Sequence, residues 1–210
     1  MDELGNLLAG YRRFRETRYE AEKSRWRALA EGQSPRAIII ACCDSRADPA
    51  TIFDTDPGEI FVVRNVANLV PPFEGGGGRH GVSAALEFAV TQLGVQEVVV
   101  MGHERCGGIQ AALTGQFHDA PNGAGGFVAT WMSQIDERAA EIAATHGTGD
   151  DAARVLEEVA IRQSLANLRT FPFVTEREDG GTLKVIGCHF SISEGQLYML
   201  DETEDCFRPV

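Results

Sequence analysis

The chain has 210 residues, 43% of them hydrophobic and 24% charged, a length and balance that one folded core accommodates and that exclude a disordered or collagen-like chain. Its 31 acidic against 19 basic residues leave a formal net charge of −12, a field that repels the phosphate backbone and argues against nucleic acid as a partner. The apolar runs at 37–43 and 98–101 fall far short of the roughly 20 residues of a membrane helix, so no span is expected.

Residues 1–32 carry Leu7, Leu8, Tyr11, Phe14, Tyr19 and Trp26 among many charged side chains. This reads as an N-terminal helical arm, its apolar stripe packed either on a partner subunit or on its own domain. The opening MDELGNLLAGYRR lacks the basic, then apolar, then small-residue order of a secretory signal. Cys42, Cys43, Cys106, Cys188 and Cys206 are odd in number and irregularly spaced, unlike a disulfide framework. A cytoplasmic protein is expected, with its thiols free, in the core or on a metal.

Nearly continuous β-branched runs at 37–41, 60–63, 98–101 and 183–186 predict four strands covered on both faces. Between the second and third, Val82, Ala85, Leu86, Ala89, Val90 and Leu93 mark one face of a helix that Gly94 ends, giving a strand, helix, strand crossover. The glycine run 75–78 is a loop and not a phosphate cradle, since no GK[ST] follows it. Helical spacing returns at Phe127, Trp131, Ile135, Ala139 and Ile142, and again at Val155, Val159, Leu165 and Leu168. Residues 197–200, after a Glu194, Gly195, Gln196 turn, predict an antiparallel edge strand. The whole is an α/β fold: a mostly parallel sheet of four strands with an antiparallel edge strand, flanked by helices, in a single domain over 1–210.

The chemistry gathers after two of these strands. Cys42, Cys43, Asp44, Ser45 and Arg46 follow the first, and Gly102, His103, Glu104, Arg105, Cys106, Gly107 and Gly108 follow the third. Ligand sites of open parallel sheets lie outside the carboxyl ends of the strands, so the two loops meet in one crevice. Cys42, His103 and Cys106 then form a Cys2His set suited to zinc, with the fourth tetrahedral position left to Cys43, Asp44 or water. Cys43, next to Cys42 in an extended segment, is expected to point away from the metal as a small buried residue. Asp44 and Arg46 have the spacing of a hydrogen-bonded ion pair, either at the metal's edge or as a plain surface salt bridge.

CCDSR at 42–46, FVVRNVANLVPP at 61–72 and GHERCGG at 102–108 resemble the β-class carbonic anhydrases in content, order and separation. GQSPR at 32–36 and GVSAALEFAVTQLGV at 81–95 extend the similarity toward the plant-type branch. The resemblance implies one Zn2+ per chain on Cys42, His103 and Cys106, with Asp44 and Arg46 as the catalytic dyad. The implied reaction is reversible hydration of carbon dioxide to bicarbonate and a proton through zinc-bound hydroxide, a zinc lyase activity. If Arg46 swings away, Asp44 takes the fourth metal position and closes the site.

The resemblance also implies a homodimer or higher homo-oligomer whose N-terminal helices embrace the partner. Phe61, Val66, Phe88 and the backbone N–H of Gly107 would line the carbon dioxide or bicarbonate pocket, with Gln33 donated across the interface. Phe88 stands where plant-type members commonly carry Tyr, which removes a hydroxyl from the pocket. Ile39 stands where a bacterial branch with a non-catalytic bicarbonate site carries Trp. Cys188, His189 and Phe190 are assigned packing alone, and His80, His118 and His146 are proton-shuttle candidates only by elimination. A zinc hydrolase of carbon disulfide or carbonyl sulfide would share these ligands. A non-catalytic zinc scaffold would lack a ligand or break the Asp–Arg pair, and neither is seen.

Overall fold

The computed structural model describes residues 3–75, 78–117 and 126–210; Gly76 and Gly77 of the glycine run and the shuttle candidate His118 lie outside the described residues. The chain divides into two compact units, Met1–Ser34 and Pro35–Val210. Among the described residues no helix is long and apolar enough to cross a membrane.

The N-terminal unit comprises α1 (Glu3–Glu16), α2 (Arg18–Ala21) and α3 (Lys23–Glu31). Its stripe splits in two. Phe14, Tyr19 and Trp26 pack on one another, with Phe14 edge-on to Trp26 at 5.4 Å between ring centroids, while Leu4, Leu7, Leu8 and Tyr11 of α1 are exposed.

The second unit runs β1 (Ala37–Cys42), α4 (Pro49–Ile52), β2 (Ile60–Asn65), a 3-10 turn (Val66–Asn68), α5 (Gly81–Glu87), β3 (Glu97–His103), α6 (Gly107–Thr114), α7 (Gly126–Met132), α8 (Asp136–His146), α9 (Asp150–Leu168), α10 (Pro172–Asp179), β4 (Lys184–Ser191), β5 (Gln196–Asp201) and β6 (Cys206–Pro209). The six strands form one sheet in the order β2-β1-β3-β4-β5-β6. The first four are parallel to their neighbours and the last two antiparallel. Alternate side chains of β1 and β3 enter opposite layers: Ile38, Ile40, Val98 and Val100 face Leu86, Ile161, Leu165 and Phe171, and Ile39, Ala41, Val99 and Met101 the other side. That two-sided burial is why these strands read as unbroken apolar runs.

The fold class is the expected one, with one strand more. β5 is antiparallel as expected, but the sheet edge is β6, whose sequence CFRP is too short and polar to register as a strand; proline is tolerated there because it sits on the edge. The helix after β2 continues from α5 into a π-helical turn over Phe88–Leu93 before Gly94 closes it at φ 66°. Helix α6 was hidden by its two leading glycines, and α10 starts on a proline at its first position.

Two glycines set how closely α9 lies on the sheet. A Cβ on Gly102 of β3 would stand 2.7 Å from Ile161 Cδ1, and one on Gly187 of β4 would stand 2.9 Å from Ile161 Cγ2. With no side chain at either position, α9 rests directly over β3 and β4, and its N-terminal half reaches the carboxyl ends of these strands.

Candidate metal centre

β1 and β3 are hydrogen-bonded neighbours, so the last residue of one, Cys42, and the last residue of the other, His103, end side by side. The chain then turns through Glu104 and Arg105, the latter left-handed at φ 52°, and delivers Cys106 as the residue capping α6. Potential ligand atoms of Cys42, His103 and Cys106 lie within 4.8 Å of one another, and all three residues are buried.

The donors fit a zinc ion. Two sulfurs each about 2.3 Å from one tetrahedral zinc stand about 3.8 Å apart, and Cys42 Sγ and Cys106 Sγ are 3.8 Å apart. His103 Nδ1 is 2.9 Å from the carbonyl oxygen of Glu104. A carbonyl only accepts, so the proton sits on Nδ1 and the Nε2 lone pair is left facing the sulfurs. Nε2 is buried with no N–H or O–H donor on it and only the thiol of Cys42 beside it, so its lone pair is free for a cation once that thiol is ionised. The Cys106 thiol beside Cys42 pulls the Cys42 pKa well below the ordinary thiol range, against the opposing effect of burial, and the backbone N–H groups of Asp44 and Ala67 add to the lowering. The same contact holds the Cys106 thiol up, so the two sulfurs together favour a single negative charge shared between them.

The surroundings are built from the motifs around the ligands. Arg64 at the end of β2 donates from Nε to the Cys42 carbonyl (2.8 Å), from Nη2 to the Asp44 carbonyl (2.6 Å) and from Nη1 to Asp48 Oδ2 (2.9 Å). Asp48 in turn caps α4 through Thr51 N–H (3.0 Å). Asn65 bridges to Leu69 through both its amide atoms, and Trp131 Nε1 donates to the Val66 carbonyl (2.8 Å). These bonds hold the turn containing the left-handed Ala67 (φ 62°) against the ligands. Gly108 is required in the same contact, since its Cβ would stand 2.7 Å from Val66 Cγ1. Replacing Arg64 by Ala is expected to cost about 3 kcal/mol of stability, because three polar partners lose a charged donor; urea unfolding of the two proteins measures the difference.

Asp44 and Arg46 form a two-point pair: Nε to Oδ1 at 2.9 Å and Nη2 to Oδ2 at 2.7 Å, with Arg46 N–H also on Oδ1 at 2.9 Å. Arg46 Nη2 reaches the Arg105 carbonyl as well (3.1 Å), tying the pair to the turn between His103 and Cys106. The side-chain hydrogen bonds from Arg46 hold the Asp44 carboxyl far below the usual carboxylate range. Asp44 Oδ2 is 4.0 Å from His103 Nε2, so an ionised carboxylate borders the ligand cluster while Arg46 occupies both its oxygens.

Of the remaining predicted residues, Phe61 and Phe88 pack with ring centroids 6.0 Å apart, with Phe88 47% exposed. Val66 packs against the cluster that holds Cys42 and Cys106, and a Cβ on Gly107 would meet open space. Gln33 belongs to the N-terminal unit. Cys43 is exposed rather than buried: it does alternate away from Cys42, but that direction leads to solvent and not to a second layer. His146 is exposed and His80 half-buried.

Four residues outside the predicted set stand behind the Cys42, His103 and Cys106 cluster. The Glu104 carboxylate accepts from Ser193 N–H (2.7 Å) and Ser193 Oγ (2.9 Å) in the turn after β4, which anchors the carbonyl that orients His103. Glu157 of α9 accepts the Cys106 backbone N–H (3.0 Å) and lies 2.8 Å from His189 Nε2 of β4. Glu157 had a legible signal, since it falls in the apolar phase of α9 with Ala153, Ala160 and Ile161.

Comparison with known proteins points one way. A family model described as carbonic anhydrase matches residues 37–197. The chain is 35% identical over 198 residues to a mitochondrial β carbonic anhydrase, number 6, of Arabidopsis thaliana, covering 93% of this chain and 67% of that one. Among solved structures it resembles the β-carbonic anhydrase CcaA with a TM-score of 0.90 at 28% identity, covering 99% of this chain and 92% of that one. It also resembles a chain from the structures of two tetrameric β-carbonic anhydrases of Sordaria macrospora, with a TM-score of 0.80 at 26% identity, covering 98% of each chain.

Proposed function

The chain belongs to the β-carbonic anhydrase family and is a zinc enzyme of reversible carbon dioxide hydration, and from that premise we propose the part each of its residues plays. Cys42, His103 and Cys106 hold one Zn2+ per chain. When bound, the ion supplies a Lewis acid that lowers the pKa of a coordinated water, so that a hydroxide nucleophile is available near neutrality. The observation that carries the assignment is the buried His103 Nε2, with no N–H or O–H donor on it, facing two sulfurs at the separation one tetrahedral ion imposes.

Asp44 accepts a hydrogen bond from the nucleophile and so turns its lone pair toward the substrate carbon. Arg46 keeps that carboxylate ionised and aimed, and its release would free Asp44 to close the site as a fourth donor. Phe61, Val66 and Phe88 offer apolar surface to a substrate with no net dipole. The Gly107 N–H and the Gln33 amide donate to the bicarbonate oxygens, and nothing at Phe88 adds a third donor.

Residues 1–32 are an arm of a single functional domain, and Leu4, Leu7, Leu8 and Tyr11 embrace a second copy in a homodimer or higher homo-oligomer that brings Gln33 to the partner's site. The tetrameric relatives support such an assembly. A cytoplasmic location is supported by the five free cysteines among the described residues, which suit a reducing compartment.

The test is metal analysis with stopped-flow carbon dioxide hydration. One zinc per chain is expected, with a rate that rises toward alkaline pH, because two thiolates cancel the formal charge of the ion where three imidazoles would leave it at +2. A rate flat from acid to alkaline pH, or a protein that takes up no zinc, would contradict the assignment.

A further inference from the structure

Glu157 and His189 are 3% and 0% exposed, and among the described residues neither hydrogen-bonds to the side chains of Cys42, His103 or Cys106 or to the dyad. Buried acids and imidazoles are costly to retain without a partner and a purpose. Their hydrogen bonds run in one direction. Arg154 Nη1 is 2.7 Å from His189 Nδ1; a guanidinium has no acceptor, so Nδ1 must be the lone-pair nitrogen. The imidazole proton is therefore on Nε2, which donates to Glu157 Oε2 at 2.8 Å. The other oxygen of Glu157 accepts the Cys106 backbone N–H at 3.0 Å. Arg154 is itself fixed, pairing with Glu158 at 2.8 Å and lying 5.1 Å over the Tyr198 ring.

The chain Arg154, His189, Glu157, Cys106 thus spans from a half-buried cation to a ligand residue, with each member fixing the next. It acts where precision matters. Cys106 caps α6 and follows the left-handed Arg105; its carbonyl accepts from Gln110 N–H in the helix, and Glu157 fixes its N–H on the other side of the turn. The approach of α9 allowed by Gly102 and Gly187 is what brings Glu157 within reach. A cavity of about 340 Å³ on the far side, lined in part by Arg105, Asp150, Arg154, Glu157 and Tyr198, puts this chain between solvent and the ligand.

We propose that Glu157, oriented by His189 and Arg154, is a positioning residue for the metal ligand Cys106, setting the affinity and geometry of the bound ion through the Cys106 backbone. This rests on Cys106 being a ligand, as assigned above. The amide of Glu157→Gln cannot accept from both Cys106 N–H and His189 Nε2–H, since one of its two ends is a donor. His189→Phe leaves one Glu157 oxygen without its donor, and Arg154→Met frees the His189 tautomer while leaving both buried residues in place.

The experiment is zinc competition against a chromophoric chelator, together with the thiolate-to-metal absorption of the cobalt(II)-substituted protein, for wild type and these variants. Glu178→Gln, in the remote Arg169 pair, serves as a control that perturbs an ion pair without touching a ligand. Glu157→Gln and His189→Phe are expected to weaken zinc binding by about 10–100-fold and to shift the cobalt spectrum, Arg154→Met to do so in the same direction by less, and Glu178→Gln to leave both readings at the wild-type value. The double variant Glu157→Gln/His189→Phe is expected to lose less than the product of the single losses, because the donor–donor conflict is removed. If Glu157→Gln does not fold, His189→Phe and Arg154→Met decide. Zinc affinity and cobalt spectrum unchanged in the folded variants, whatever their melting temperatures, would overturn the proposal. A wild-type protein that binds no metal would instead defeat the ligand assignment beneath it.

Discussion

Asp44→Asn is expected to keep one zinc per chain and to lose carbon dioxide hydration by about 10²–10³-fold, the range seen when one aimed electrostatic contact to a reacting group is removed. The amide is isosteric and its oxygen keeps the bonds from Arg46 Nε and the Arg46 backbone N–H, while its NH2 end meets Arg46 Nη2 as donor against donor, so one of the two points of the pair is lost. What it loses is the negative charge and one acceptor, and the end facing the nucleophile becomes a donor that turns the lone pair the wrong way. Because the Arg46 pairing lowers the Asp44 pKa, the carboxylate contributes fully at all pH values above its depressed pKa. The deficit of the variant is therefore expected to be constant from neutral to alkaline pH. A deficit that disappears at high pH would show that Asp44 acts as a titrating base and not as a fixed acceptor. Stopped-flow rates alongside metal analysis separate this from simple loss of the ion.

Cys42→Ala is expected to reduce zinc content below detection after dialysis and activity to background. Structural zinc sites bind with roughly 10–16 kcal/mol, and one of three protein ligands carries about 3–5 kcal/mol of such a total, or about 10²–10⁴ in affinity. The position tolerates the smaller side chain sterically, since Cys42 is the buried end of a strand whose other residues are Ala and Ile. Fold and metal are thus separable in this variant. A chelator is expected to lower the melting temperature of the wild type and to leave that of Cys42→Ala where it was. A variant that retains zinc and rate would remove Cys42 from the site.

Much of this was legible in the sequence because the site lies at strand ends. β1 and β3 are buried on both faces, so their apolar runs announce them, and polar residues directly after such runs fall at the carboxyl edge of the sheet. Cys42, His103 and Cys106 could be brought together on that reasoning, and the structure does place them within reach of one ion. The strands run past their apolar runs, since Cys42 and His103 belong to β1 and β3 themselves; both side chains hang from hydrogen-bonded backbone and not from free loops. α6 went unread because GGIQAALT begins with two residues that oppose helix, one of them present to clear Val66. Cys43 was misplaced for the opposite reason: alternation correctly turns it away from Cys42, but periodicity does not tell whether a second layer exists there.

The acids behind the ligands were hidden by sequence distance. Glu157 is 51 residues from Cys106, and Ser193 is 89 from Glu104. No local pattern links such pairs: the packing of α9 over the glycines of β3 and β4 creates the first, and the pairing of β3 with β4 the second. An acid in the apolar phase of a helix and a histidine inside a buried strand are the traces that such contacts leave.

That distance also orders events during synthesis. As the polypeptide is made, Cys42, His103 and Cys106 are all in place by residue 106, while the carboxylate that meets the last of them follows 51 residues later. The rear wall is therefore the last part of the centre to be made, and the centre is complete only when α9 and β4 have joined the sheet.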